Sequence, residues 1–145
     1  MRPMYETSED LNREMDVVRA LELAWKCKLM KLPVKYQLDY AVVRSDEVTA
    51  FLEIKNRNYT WQKIDAFGGY LLSLSKWECA ERLSTITSKP FILIVRAKDG
   101  LYYSIFNQFN PDGILMRGRE DRNDWQDIEP CVLLHTSRFT KLVES

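Results

Sequence analysis

Val48-Thr49-Ala50-Phe51-Leu52-Glu53-Ile54-Lys55 is the stretch from which the fold can be inferred, because apolar and β-favouring residues fill it and a charged pair ends it. Such a composition predicts a β-strand. Successive side chains of a strand point to opposite faces, so Glu53 and Lys55 should share one face while Ile54 lies on the other. An acid and a lysine are therefore expected side by side at the end of an apolar strand.

A preceding strand, Tyr36–Arg44, is joined to this stretch by the short polar turn Ser45-Asp46-Glu47. So short a connection predicts an antiparallel hairpin. Asp39 stands fourteen positions before Glu53, where a hairpin can set the two side chains opposite each other with Cβ atoms about 5 Å apart. Two carboxylates so close repel each other, and a hard divalent cation relieves that repulsion most naturally.

Asp39 and Glu53 are therefore candidate catalytic metal ligands for Mg²⁺, for which Mn²⁺ can substitute. A metal held there would lower the pKa of bound water and polarise a phosphate. Lys55 would orient that water or offset charge developing in the transition state. Glu14, on a predicted first helix, is a candidate for a further catalytic carboxylate. The alternative is a solvated Glu/Lys pair, since acidic-x-lysine tripeptides are common on strands.

The rest of the chain alternates between helical and strand patterns. This order predicts an α/β fold with one mixed sheet. The remaining predicted segments, in chain order, are a helix Thr7–Met30, a loop or frayed helix start Asn56–Phe67, a helix Tyr70–Leu83, a strand Phe91–Ala97, its hairpin partner Leu101–Phe106, a charged loop Met116–Pro130 and a last strand Cys131–His135.

Composition limits the functional classes. The 145 residues fit one domain, which we expect to cover residues 1–145. Three widely spaced cysteines and one histidine argue against a disulfide framework and a histidine-based zinc site. A net charge of zero argues against coating nucleic acid by bulk electrostatics, but it allows a basic surface beside an acidic metal site. Without a long apolar run or a signal segment, the protein is expected in the cytoplasm, that of the host cell if a phage encodes it.

The order of a helix carrying Glu14, then Asp39, then Glu53-Ile54-Lys55, then another helix resembles the PD-(D/E)XK nuclease superfamily. The resemblance covers about Thr7 to Val95 and implies a restriction-endonuclease-like αβββαβ core with one mixed sheet flanked by helices. It also implies that Asp39, Glu53 and the Ile54 carbonyl bind metal and that Lys55 is the catalytic lysine. Leu38, not proline, precedes Asp39, a departure frequent in the superfamily.

Two further segments, Tyr70–Trp77 and Arg119–Pro130, are similar to parts of small phage-encoded proteins of this superfamily. This narrower likeness favours a viral or prophage origin and indicates no substrate. Many small relatives dimerise, so by analogy a homodimer is expected.

Several basic and aromatic residues follow the predicted active strand. Arg57, Lys63 and Lys76 are candidates for nucleic-acid contacts, with ordinary surface charge as the alternative. Tyr59 and Trp61 could stack on an unpaired base, or pack on their own domain.

The functional prediction is a Mg²⁺-dependent DNA endonuclease that acts in phage replication, recombination or genome processing. A narrower form of this prediction adds selectivity for a particular DNA structure. The alternatives are a nuclease acting on RNA, and a catalytically inactive nuclease-fold module that binds nucleic acid or a host protein. The sequence does not separate DNA from RNA as the substrate.

Overall fold

The computed structural model describes residues 8–33, 37–117 and 128–142. A short 3-10 helix, Thr136–Arg138, lies near the end of the described chain. The α-helices are α1 (Ser8–Trp25), α2 (Trp61–Ala66) and α3 (Leu74–Thr87). The β-strands are β1 (Lys28–Lys31), β2 (Tyr40–Arg44), β3 (Glu47–Asn56), β4 (Tyr70–Ser73), β5 (Phe91–Ala97), β6 (Gly100–Phe106), β7 (Gly113–Arg117), β8 (Glu129–Leu134) and β9 (Thr140–Lys141).

Six strands form the mixed sheet that the sequence predicts. Their order is β1-β2-β3-β5-β6-β9, and only β3 and β5 run parallel among these neighbours. The β2–β3 hairpin turns at Ser45 and Asp46, whose positive φ angles of 50° and 61° suit the tight turn of a twisted hairpin. The fold is therefore α/β with its mixed sheet at the centre, and β3 occupies an interior position.

The two faces of this sheet bury separate apolar cores. One core includes Val17 and Leu21 of α1 packed against the β2–β3 hairpin, with Leu52 fully buried. The other core includes Trp77 of α3 and Leu93 of β5. Alternation along β3 sends Leu52 to the first core, so Glu53 faces the second.

A second sheet, which the sequence did not predict, packs beside the first. It has the order β4-β8-β7, and β4 occupies the start of the predicted helix Tyr70–Leu83. The prediction of a helix from Tyr70 is wrong because α3 begins only at Leu74, after Ser73 accepts a hydrogen bond from the Lys76 amide. Gly69 permits the approach of β4 to β8, since a Cβ there would lie 2.4 Å from the Leu134 carbonyl oxygen.

Other boundaries also differ from expectation. The first helix ends at Trp25 rather than Met30, and Lys26 follows in a left-handed conformation with φ of 50°. The lysine-rich segment after it is β1, which pairs with β2. The expected charged loop Met116–Pro130 contributes its two ends to β7 and β8, and residues 118–127, with most of the Arg119–Pro130 likeness, lie outside the described residues.

The three cysteines, Cys27, Cys79 and Cys131, are free thiols. Within the described ranges, no helix combines the length and the hydropathy that crossing a bilayer requires.

Candidate active site on the mixed sheet

Glu53 is the most deeply buried acidic side chain of the candidate site. It lies on β3 between β2 and β5 and is only 1% exposed. Its Oε2 atom lies 3.6 Å from Lys55 Nζ and 3.0 Å from Lys76 Nζ. Its Oε1 atom is buried and has no hydrogen-bond partner among the described residues. A buried carboxylate oxygen without a partner costs free energy, so this atom is suited to receive a ligand.

Asp39 lies directly before β2, and the hairpin register places it opposite Glu53. Tyr40 pairs with Leu52, so one further step pairs Asp39 with Glu53. Asp39 Oδ2 accepts a hydrogen bond of 2.8 Å from the Ile54 amide, and its backbone carbonyl accepts one from Leu32. The Asp39 side chain therefore adds one hydrogen bond beyond the last paired residues of β2 and β3, and it is held against the strand that carries Glu53.

The electrostatics of Glu53 reflect its surroundings. Burial and, to a lesser extent, the nearby Asp39 carboxylate raise the pKa of the Glu53 carboxyl from 4.5 to about 7, against the opposing effect of Lys55 and Lys76. Desolvation and like charge both disfavour the ionised form. A bound divalent cation would reverse this balance, because it interacts favourably with both carboxylates.

Two lysines approach Glu53 from different elements. Lys55 lies two positions further along β3, on the same face, as the alternation of the strand predicts. Lys76 comes from the first turn of α3, and its ammonium group also donates to the Gln37 carbonyl. The sequence indicated a nucleic-acid contact for Lys76 but not its ion pair with Glu53. The spacing of Ser73 and Lys76, one helical turn apart, was the only available signal.

The residues present fit a hard divalent cation. The two carboxylates offer oxygen donors only, the Ile54 carbonyl would add a third oxygen, and one carboxylate oxygen is buried without a partner among the described residues. In the three described ranges, no group of three or more His, Cys, Asp or Glu side chains is arranged to hold a metal. Mg²⁺ suits such a small donor set because it keeps several of its waters.

Glu14 contacts a different part of the molecule. Its Oε2 atom accepts hydrogen bonds from the Tyr40 hydroxyl at 2.9 Å and from Lys31 Nζ at 3.3 Å. Tyr40 belongs to the core beneath α1, so this contact joins Glu14 to the helix side of the sheet. Lys31 Nζ also lies 3.9 Å from Asp39 Oδ1 and thereby connects the two acids. A catalytic role for Glu14 stays a prediction.

The other basic candidates lie beyond the end of β3. The Arg57 guanidinium lies 4.9 Å from the centre of the Tyr70 ring, and Lys63 Nζ lies 4.8 Å from the centre of the Tyr59 ring. Trp61 packs within the domain, since its ring stacks on Tyr102 with centroids 4.0 Å apart and planes 6° apart. Of the two aromatic residues considered for base stacking, Trp61 is thus occupied, whereas Tyr59 is 42% exposed.

Comparison with known proteins identifies one family. A family model described as "Phage putative PDDEXK endonuclease" matches residues 1–142, a range that contains every candidate site residue. No curated protein sequence matches the chain significantly. Among solved structures, the chain is similar to Hjc, a Holliday junction resolvase of the hyperthermophilic archaeon Archaeoglobus fulgidus. The two share 15% identity with a TM-score of 0.48, over 66% of this chain and 71% of the resolvase.

Proposed function

The chain belongs to the phage PDDEXK endonuclease family, and from that premise we propose that it is a Mg²⁺-dependent nuclease that cleaves phosphodiester bonds of DNA. The observation that carries the proposal is the buried Glu53 carboxylate, with one oxygen unpartnered and Asp39 held beside it through the Ile54 amide. A purely structural acid would gain nothing from such burial, because it raises the free energy of the ionised form.

Asp39, Glu53 and the Ile54 carbonyl are the groups that would hold the metal. Both carboxylates are preoriented, Asp39 by its hydrogen bond to the β3 backbone and Glu53 by its position inside the sheet. When bound, a divalent cation lowers the pKa of coordinated water and polarises the phosphoryl group. Mn²⁺ has similar ligand preferences and is expected to substitute.

The lysines supply the positive charge that phosphodiester cleavage requires. Lys55 shares a strand face with Glu53 and is positioned to orient the attacking water by donating a hydrogen bond. Its ammonium also offsets negative charge that develops on the phosphate in the transition state. Arg57 and Lys63 lie further along the chain, where they would bind neighbouring phosphates and position the strand. Lys76 adds a second ammonium group beside Glu53.

The biological setting follows from the family. A nuclease of phage origin would act in the host cytoplasm, in replication, recombination or genome processing. Cleavage of both strands of a duplex requires two active sites or two binding events, so a homodimer is part of the proposal.

Cleavage of labelled DNA tests the proposal. The wild-type protein is incubated with Mg²⁺, Mn²⁺ or EDTA and with duplex, single-stranded, flap and four-way-junction DNA, and with matching RNA. Asp39→Asn, Glu53→Gln and Lys55→Met are each expected to reduce the cleavage rate by about 100-fold or more. Glu47→Gln, at the exposed first residue of β3, is the matched control and should retain full activity.

The outcomes separate the alternatives. Cleavage that survives all three substitutions would remove the site from consideration. Tight binding without cleavage under every metal condition would favour the inactive binding module. Preferential cleavage of the RNA probes would change the substrate class while leaving the site in place.

A further inference from the structure

A cleft opens beside the candidate active site, between the end of β3 and the second sheet. Its volume is about 660 Å³, within the range of pockets that hold small organic ligands. Lys55 and Arg57 line one side, Tyr59 and Phe67 lie near the α2 end, and Leu115 and Leu133 line the side formed by the second sheet.

The walls of the cleft combine apolar surface with positive charge. Phe67 is 67% exposed, and its ring meets Tyr59 edge to face at a centroid distance of 6.2 Å. Among the described residues, Lys55, Arg57 and Arg117 contribute three basic residues to the lining and Glu129 one acidic residue. A planar apolar group linked to an anion matches this lining, which is the chemistry of a nucleotide.

The cleft is continuous with the candidate active site. Lys55 belongs to both, since it lines the cleft and its ammonium lies 3.6 Å from Glu53. Tyr70 also lines the cleft, and its buried hydroxyl has no hydrogen-bond partner in the part of the chain that the structure describes. That hydroxyl is buried below the surface of the cleft, so the connection to the candidate active site rests on Lys55.

We propose that this cleft binds an unpaired nucleotide of the DNA strand, next to the phosphate that is cleaved. The proposal rests on the proposed nuclease function and adds a substrate class to it, namely DNA with unpaired bases near the cleavage site. A base inside a duplex is stacked and paired, so it reaches the cleft only after leaving the stack. An unpaired base enters without that cost, with its ring against the apolar wall and its phosphate near Lys55 and Arg57.

Equilibrium binding in EDTA tests the proposal, because the DNA stays intact. Fluorescence anisotropy compares a blunt duplex with the same duplex carrying a short run of unpaired thymidines in one strand. The wild-type chain should bind the second probe about tenfold more tightly. Leu115→Glu places a negative charge in the cleft and should abolish the preference. Ile114→Glu is the matched control, since Ile114 is the neighbour of Leu115 on β7 but lies on the other face of the strand and does not line the cleft.

A second variant and a second readout test the proposal even if Leu115→Glu does not fold. Phe67→Ser removes an exposed ring at the cleft and should reduce the preference several-fold. The fluorescence of 2-aminopurine in the unpaired run should change with the wild type and with Ile114→Glu but not with Leu115→Glu. Equal binding of both probes by the wild type, or equal effects of Leu115→Glu and Ile114→Glu, overturns the cleft proposal. Metal-dependent cleavage of the blunt duplex, without a preference for unpaired thymidines, would overturn the cleft proposal and leave the nuclease proposal intact. Preferential binding of the probe with unpaired thymidines, without cleavage in any metal, would support the cleft and overturn the nuclease proposal.

Discussion

Replacing Glu53 by glutamine is expected to stabilise the metal-free protein at alkaline pH while it removes cleavage activity. Burial, with the Asp39 carboxylate nearby, raises the pKa of Glu53 to about 7. The ordinary value of 4.5 applies to the unfolded chain. Between these two values the folded protein binds a proton that the unfolded chain has lost. Stability from this group is therefore complete below about pH 4.5 and is lost as the pH rises through about 7.

The size of the effect follows from the separation of the two pKa values. At about 1.4 kcal/mol per pH unit, the difference between about 7 and 4.5 corresponds to about 3 kcal/mol. Glutamine keeps the shape of the neutral acid but cannot ionise. Glu53→Gln should consequently match the wild type near pH 5 and exceed its free energy of unfolding by about 3 kcal/mol at pH 8 or above.

Urea unfolding in EDTA between pH 5 and pH 9 measures this difference, with tryptophan fluorescence as the probe because Trp77 is buried. Subtracting the wild-type free energy from that of the variant isolates Glu53 from the other titrating groups. Addition of Mg²⁺ at pH 8 should stabilise the wild type and leave Glu53→Gln unchanged.

Glu47→Gln, at the exposed start of the same strand, should show no pH-dependent difference. A difference between Glu53→Gln and wild type that stays constant from pH 5 to pH 9 would refute the reasoning, as would a variant less stable than the wild type at pH 8.

Three further predictions concern packing and charge. Trp61→Ala should lower the free energy of unfolding by about 3 kcal/mol, because its ring is stacked inside the domain, and should leave DNA affinity unchanged in a binding titration. Gly69→Ala should cost about 3 kcal/mol or more in thermal or urea unfolding, since its Cβ would meet a backbone carbonyl, whereas Gly68→Ala, at an open position, should cost about 1 kcal/mol. Lys76→Met should raise the midpoint of the Glu53 pH dependence by about one unit, and an unchanged midpoint would contradict the ion pair.

The hairpin and its acids could be predicted because their determinants are local. Strand periodicity and the expected three-residue turn place Asp39 opposite Glu53. The observed turn is one residue shorter, and a β-bulge between Val42 and Val43 restores that register. The same alternation puts Lys55 on the face of Glu53, where their side chains meet. Contacts of this kind depend on two strands joined by a few residues, so the sequence carries nearly all the information.

The second sheet could not be predicted because its determinants are distant in sequence. Tyr70 pairs with Leu134, more than sixty positions later, and no local pattern reveals that partner. The apolar residues Leu71, Leu74 and Trp77 follow a helix period, so the segment was assigned wholly to the helix that follows. The pairing of Lys76 with Glu53 depends on where that helix begins and was missed for the same reason.

The two residues of the ion pair between Glu53 and Lys76 lie on elements of different local stability. Glu53 lies on a strand bonded to neighbours on both edges, whereas Lys76 extends from the first turn of a helix. Amide protons in the interior of a sheet exchange with solvent only when much of a domain opens, while helix ends fray at little cost. Local opening of the first turn of α3 would therefore remove the ammonium group from the pair while the carboxylate keeps its place, so the countercharge can be lost at a lower free-energy cost than the anion.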